Sequence, residues 1–387
     1  LTEFREVKPA RRGFDRLTPL EGARQAILAQ CSPAPVEARR LDEAIGFTSS
    51  EAIHVPQSIP NEAIALRDGF AVAAIETLGA SAYAPVFSLS KPQWVNCGDS
   101  LLKSTDAVLP SYAVRQAAIP AEILVQAAPG EGTRPRGEDF KAGAIIVEAG
   151  EAIRPVHLGL LKAAGLQSIK IRVPRLAILV RRDLPQGDLI GPSFCAFAKG
   201  EGAHAHISEI DMDDINAFSE SLKVIEADLI VSVGGTGFGD RDHAAAALRT
   251  AGTLLEHGLA LHPGETAGCG FLDKPSGPCP VILAPGRPEA ALTVWLSLVR
   301  PCLAKMTSAM LKKPSETLPL SRKITSNPGV ADIVLLRRVT FEGKTQWEPL
   351  ASGDLPWHAL ARAEAFHIVP PESEGYPAGA FLCAEEI

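Results

Sequence analysis

Cysteine is sparse and unpatterned in this chain. The seven residues Cys31, Cys97, Cys195, Cys269, Cys279, Cys302 and Cys383 are odd in number, widely scattered and without a Cys-x-x-Cys spacing. That argues against a disulfide framework and suits reduced, mostly buried thiols. Long apolar runs are missing too. Leu176–Val180 and Leu229–Val233 stop far short of the roughly 20 residues that a bilayer span needs, so a soluble protein is expected. Residues Leu1 to Arg12 mix charges and hold no apolar stretch of the kind a secretory signal uses, which makes the cytoplasm the expected compartment. Positive charge is not in excess: Lys and Arg number 38 against 45 Asp and Glu, a formal net charge of −7. Broad contact with nucleic acid or an anionic membrane is therefore disfavoured, whereas a local basic pocket is not. No nucleophile elbow or metalloprotease helix occurs, and Cys269, Cys279, His257 and His262 lack the spacing of a zinc finger or ribbon.

What is present is a long chain able to build several cores: 387 residues, 46% apolar and 21% charged, which implies two to four domains. Thr18-Pro19-Leu20-Glu21 predicts a capped helix start, with Thr18 as N-cap and Glu21 closing a capping box, and the helix running to about Gln30. Across 51–149 the pattern changes to short β-like runs broken by Pro, Gly and Asn. Pro155 to Ala164 predicts a helix stopped by Gly165. Residues 1–50 and 150–173 thus read as one extended helical domain carrying a β-rich insertion at 51–149. From Arg175 strands and helices alternate, so 174–312 reads as an α/β core with a parallel sheet. Lys312 to Thr317 looks like a linker, and 320–387 reads as a C-terminal β domain. The expected class is multidomain α/β plus β.

The sharpest local signal is Val231-Ser232-Val233-Gly234-Gly235-Thr236-Gly237-Phe238-Gly239-Asp240-Arg241-Asp242, an apolar strand, a four-glycine loop and a helical start. Such a loop lets successive backbone N–H groups converge on an anion, and a helix N-terminus adds partial positive charge. It is neither a P-loop nor a dinucleotide fingerprint. The plain alternative is a tight strand-to-helix turn with Asp242 as N-cap. Ala284-Pro285-Gly286-Arg287-Pro288 also joins a strand to a helix, and places Arg287 at the carboxyl edge of the sheet as a candidate phosphate clamp. His257-Gly258 through His262-Pro263-Gly264-Glu265 offers a further turn on that edge. Asp68-Gly69, Asp139, Asp240 and Asp242 are carboxylates in turn settings, suited to Mg²⁺ with substrate phosphates or simply to hairpin turns and solvated loops.

The combination of Arg67-Asp68-Gly69-Phe70-Ala71-Val72, Arg134 to Phe140, Gly234 to Asp242, His257-Gly258, Pro263-Gly264 and Pro285-Gly286-Arg287-Pro288 resembles the molybdopterin molybdenumtransferase family, which includes the gephyrin E domain. The resemblance runs from about Leu17 to Ile387. It implies a molybdopterin-binding α/β core, an inserted β-rich domain and a C-terminal β-barrel-like domain, in a homodimer whose cleft joins the core of one subunit to the insertion of the other. It further implies hydrolysis of adenylylated molybdopterin with release of AMP and transfer of molybdate to the dithiolene, with Mg²⁺. The residues it points to are Asp68, Asp139, Asp240 and Asp242 as catalytic carboxylates, with Asp68, Asp240 and Asp242 toward the metal. Gly234, Gly235, Thr236, Gly237, Gly239, Pro285, Gly286, Arg287 and His262 fall on the pterin ligand. A molybdoenzyme or another protein of the cofactor pathway is a further expected partner.

Departures from the family pattern are local. Ala63-Ile64-Ala65 stands where the family has Asp-Asn-Ser, and Cys97 where it has Thr. Arg181-Arg182-Asp183-Leu184 replaces Thr-Gly-Asp-Glu, and His262-Pro263-Gly264-Glu265 replaces Lys-Pro-Gly-Lys. A Glu near molybdate is repulsive, which opens the alternative of a catalytically degenerate protein that binds or delivers molybdopterin or the cofactor. Arg181 and Arg182 are the candidates to restore positive charge.

Overall fold

The computed structural model describes residues 13–116, 119–182, 187–310 and 316–387. Leu1 to Arg12, Asp183, Leu184 and the linker residues up to Ser315 lie outside the described residues. Among the described residues no helix is long and apolar enough to cross a membrane.

The apolar runs of the core form the centre of a six-stranded sheet. Its order is His204–Ile210, Arg175–Arg181, Leu229–Val233, Gly277–Ala284, Gly268–Lys274 and Thr253–His257. Successive residues point to opposite faces of a strand, and here both faces are covered. Leu176, Ile178, Val180, Val231 and Ile282 join one buried cluster with the helices Leu20–Ala29 and Gly191–Gly200. Ala177, Leu179, Ile230, Val281 and Leu283 join another with Ile215–Val224 and Ala244–Ala251. The near-continuous hydrophobicity of these strands has that cause.

The parallel sheet expected from the sequence is only partly observed. The first four strands are parallel, but Gly268–Lys274 and Gly277–Ala284 form an antiparallel hairpin. The hairpin turn returns the chain to the sheet without a crossover helix. Thr18 is also corrected. Its residue pairs in parallel with Leu259, its hydroxyl donates to Glu256 (2.6 Å), and the helix begins at Leu20 with no side-chain cap. Glu21 instead accepts from Arg24 and Gln25 one turn on. The helix expected from Pro288 continues through three segments, Pro288–Val294, a π-turn at Trp295–Val299 and Arg300–Thr307.

Within 51–149, Gly69–Val72 lies between Gln93–Val95 and Ala107–Leu109. Asp68-Gly69 is therefore not a hairpin turn but a strand entrance. A Cβ at Gly69 would lie 2.1 Å from the Leu109 carbonyl oxygen, so only glycine permits this approach. Helix Pro155–Ala163 and strand Ser168–Arg172 pack around Leu161, Ile169 and Ile171.

A seven-stranded sheet contains Ala331–Phe341, Lys344–Ser352, Ala365–Val369, Phe381–Glu386 and Glu316–Pro319. It also recruits Leu259–His262 and Thr18–Pro19 from distant sequence. His262 pairs with Asp332 in parallel register. Ala331, Ile333, Leu335 and Phe366 are buried in the same cluster as the α/β strands.

Candidate functional site

Strands Arg175–Arg181, Leu229–Val233 and Gly277–Ala284 run in parallel, so their carboxyl ends share one edge. Thr253–His257, antiparallel to the hairpin strand next to it, ends on that edge as well. A crevice at the carboxyl edge of an α/β sheet is the usual ligand position.

The glycine loop is built for close approach. Gly234 and Gly235 adopt φ of 93° and 69°, backbone that residues with a side chain rarely adopt. The Gly234 N–H donates to Ala284 O (2.8 Å), and an added Cβ on Gly286 would lie 3.4 Å from Gly234 Cα. The glycine loop and Pro285-Gly286-Arg287 are thus in contact, as expected of two loops serving one ligand. Arg287 precedes the helix that Pro288 opens, and its exposed guanidinium lies 3.4 Å from Glu289.

Asp242 does not cap the helix, which begins at Ala244 after His243. Its carboxylate turns back on the loop and accepts the Gly239 N–H at 2.5 Å. Thr236 is buried, with its hydroxyl 3.0 Å from that of Thr266, while its carbonyl accepts a hydrogen bond from His257 Nε2 (2.9 Å). These two contacts tie the glycine loop to the 257–266 turn. Phe14 packs edge-on against both His257 and Phe238 (centroids 4.9 and 4.7 Å). Nothing in the spacing around Phe14 or Thr266 pointed to these contacts.

Arg181 is not free to meet an anion. It is ion-paired with Asp213, and its other amino group donates to Arg241 O (2.9 Å). Arg241 also grips Asp213, through Nε at 2.9 Å and a terminal nitrogen at 2.6 Å. Hydrogen bonds from Arg241 and then Arg181 hold the Asp213 carboxyl well below the usual carboxylate range. The sequence predicts a helix from Asp213, but the helix starts at Ile215 and Asp214 caps it by accepting the Ala217 N–H (2.7 Å). Asp213 is left to clamp the end of the glycine loop to strand Arg175–Arg181.

His262 and Glu265, which stand where the family pattern has two lysines, are bonded to each other through Nδ1 and Oε1. Burial pushes the Glu265 carboxyl up, but the His262 hydrogen bond and the backbone N–H groups of the turn outweigh it and leave the group below its ordinary range.

Asp68 and Asp139 lie in the insertion. Asp68 accepts the Cys97 N–H (2.7 Å), and Asp139 pairs with Arg134 (3.2 Å). Among the described residues no three His, Cys, Asp or Glu side chains gather as a metal site. One chain therefore does not assemble Asp68 with Asp240 and Asp242. A cavity of about 1200 Å³ opens elsewhere, lined by Arg24, Arg300, Met310 and Phe366 among others, and none of the sequence-predicted site residues borders it.

Comparison with known proteins agrees with this architecture. Residues 18–165 match the MoeA N-terminal region (domain I and II), and residues 185–305 match a family described as a probable molybdopterin binding domain. Fold and site thus define a molybdopterin-binding protein. The chain belongs to the MoeA family of molybdenum cofactor biosynthesis enzymes. It is 26% identical to a putative molybdopterin biosynthesis protein of Methanocaldococcus jannaschii, over 94% of this chain and 96% of the relative. It is also 26% identical to molybdopterin molybdenumtransferase 2 of Mycobacterium tuberculosis, over 92% and 95% of the two chains. In fold it is similar to the molybdopterin biosynthesis MoeA protein of Pyrococcus horikoshii, with a TM-score of 0.74 and 23% identity over 96% of this chain and 99% of that one.

Proposed function

We propose that this protein is a molybdopterin molybdenumtransferase, which binds adenylylated molybdopterin, releases AMP by hydrolysis and passes molybdate to the dithiolene. The observation that carries this reading is the joining of three loops at one sheet edge: glycine loop against Pro285-Gly286-Arg287, and glycine loop against the 257–266 turn through Thr236. In this reading the backbone N–H groups of Gly235 and Gly237 receive phosphate oxygens while Asp242 holds the Gly239 N–H, and Arg287 clamps from the neighbouring loop. Thr236, with its side chain buried, positions the loop. Asp240 and Asp242 would hold Mg²⁺, which when bound would supply neutralising charge to a phosphoryl group. Mg²⁺ commonly uses one or two carboxylates together with substrate phosphates, so a two-carboxylate loop fits it.

Asp68 and Asp139 enter from the partner subunit of a homodimer, orienting the attacking water and completing a cleft that one chain leaves open. The names of the relatives favour the transferase over a protein that only binds or delivers the cofactor. The deciding experiment incubates pure protein with adenylylated molybdopterin, Mg²⁺ and molybdate and follows AMP release and molybdenum incorporation separately. Both together support the transferase. Retained pterin with no AMP released would overturn it in favour of delivery.

A further inference from the structure

The turn after strand Leu259–His262 carries an arrangement that the transferase reading does not use. Glu265 folds back along its own turn so that one carboxylate oxygen meets His262 Nδ1 and the other accepts the Gly264 N–H at 3.1 Å. A ring N–H and a backbone N–H converging on two oxygens are the donors that a tetrahedral oxyanion would use. Here the protein's own carboxylate holds them. The turn does not need that side chain for its shape. Leu259 N–H donates to Glu265 O (3.0 Å), Ala267 N–H to Gly264 O (2.9 Å) and Gly258 N–H to Ala267 O (2.9 Å), and Thr266 is tied to Thr236.

A second carboxylate lies beneath. Asp332, the register partner of His262, is buried, and its Oδ2 accepts from Ser326 Oγ (2.6 Å) and the Asn327 N–H (3.0 Å). Its Oδ1 is buried without a hydrogen-bond partner. Gly353 backs onto both groups: a Cβ there would lie 2.8 Å from the His262 ring and 3.9 Å from Asp332 Oδ1. His262 thus bonds one acid and has a second as its register partner, and an anion approaching the turn meets the Glu265 charge as well as occupied donors.

We propose that Glu265 is the anion-selecting residue of this cleft, a built-in carboxylate that an incoming oxyanion must displace to reach the donors of the 262–265 turn. The proposal rests on the reading of the cleft as one that handles molybdate. Because the Glu265 carboxyl is held below its ordinary range, the latch stays ionised at neutral pH.

The test is titration of the purified full chain with sodium molybdate at pH 7.5 and fixed ionic strength, comparing wild type, Glu265→Ala and Glu265→Gln. Glu265→Ala is expected to tighten molybdate binding at least about tenfold, equivalent to about 1.4 kcal/mol. Glu265→Gln is expected to fall between, because its amide oxygen still accepts from one donor but carries no charge. Histidine NMR gives a readout that a merely structural role would not move: the His262 ring signals should respond to molybdate far more in Glu265→Ala than in wild type. Unchanged or weaker molybdate affinity in both folded variants overturns the proposal. Binding of molybdopterin, measured in parallel, separates the two readings. If it persists without a molybdate gain, the Glu265 proposal fails and the transferase reading stands. A molybdate gain without molybdopterin binding supports the latch and counts against the transferase.

Discussion

Side chains at the glycine loop act mainly on the loop itself. Asp242 closes it from within and Asp213 clamps its far end through two arginines, so both acids serve geometry before they meet any ligand. Asp213→Ala should release Arg181 and Arg241 and speed hydrogen exchange at the Gly239 and Asp242 amides, with little change in global stability because the cluster is exposed. Since the Asp213 carboxyl is depressed in the folded protein, its clamp is complete above the ordinary carboxylate range and is lost only as pH falls through the lowered value. Unchanged amide exchange in the variant would remove Asp213 from the support of the loop. Gly237→Val should abolish molybdopterin binding while leaving the circular dichroism spectrum native. A Cβ at Gly237 would lie 2.9 Å from the Asp242 carboxylate that closes the loop, so a valine there must displace that contact and reshape the loop. Undiminished affinity would exclude the loop from the site.

Among the elements, strand Gly69–Val72 needs its glycine for a close backbone approach and helix Pro155–Ala163 buries a histidine. Gly69→Ala drives a methyl into the Leu109 carbonyl, and overpacking of this kind costs about 1–3 kcal/mol; urea denaturation measures it. His157 is buried in the first turn of its helix, with Nε2 2.8 Å from the Arg154 guanidinium. Burial and then the Arg154 charge lower its pKa, so the folded protein holds it neutral. A histidine depressed in this way contributes stability that is present above its unfolded value of about 6.5, and lost as pH falls through that value toward the lowered one. Stability should therefore decline as pH falls below about 6.5, with the decline reduced in His157→Gln. An equal slope in both proteins would show that other groups set the pH dependence.

For the whole molecule, the C-terminal β segment is not an appendage. Ala331, Ile333, Leu335 and Phe366 fill the same core as the α/β strands, and His262 is hydrogen-bonded into their sheet. Ending the chain at Met310 should expose that apolar face, so the truncated protein is expected to bind ANS and lose cooperative unfolding. A cooperative, ANS-silent truncation would show that the two parts are independent. The cleft reading also requires two subunits, because Asp68 and Asp139 are not assembled with Asp240 and Asp242 in one chain. Light scattering at micromolar concentration should return twice the 40.9 kDa chain mass. A monomer would count against a shared cleft.

The sequence by itself determined the elements whose cause is local. Leu176–Val180 and Leu229–Val233 are apolar without alternation because a central strand is covered on both faces. The glycines at 234 and 235 announce a turn because backbone at positive φ favours them wherever they stand. The α/β plus β class and the sheet edge that carries the loops follow from the order of such segments. Tertiary structure alone decided the partners: Asp213 on Arg181 and Arg241, Asp332 beneath His262, Phe14 over Gly258, and the hairpin that makes the sheet mixed. Even Thr18, whose local pattern is that of a helix cap, pairs with Leu259 instead and donates to Glu256. The physical reason is that propensity acts over a few residues, whereas burial and hydrogen-bond partners are set by neighbours brought together from tens or hundreds of residues away.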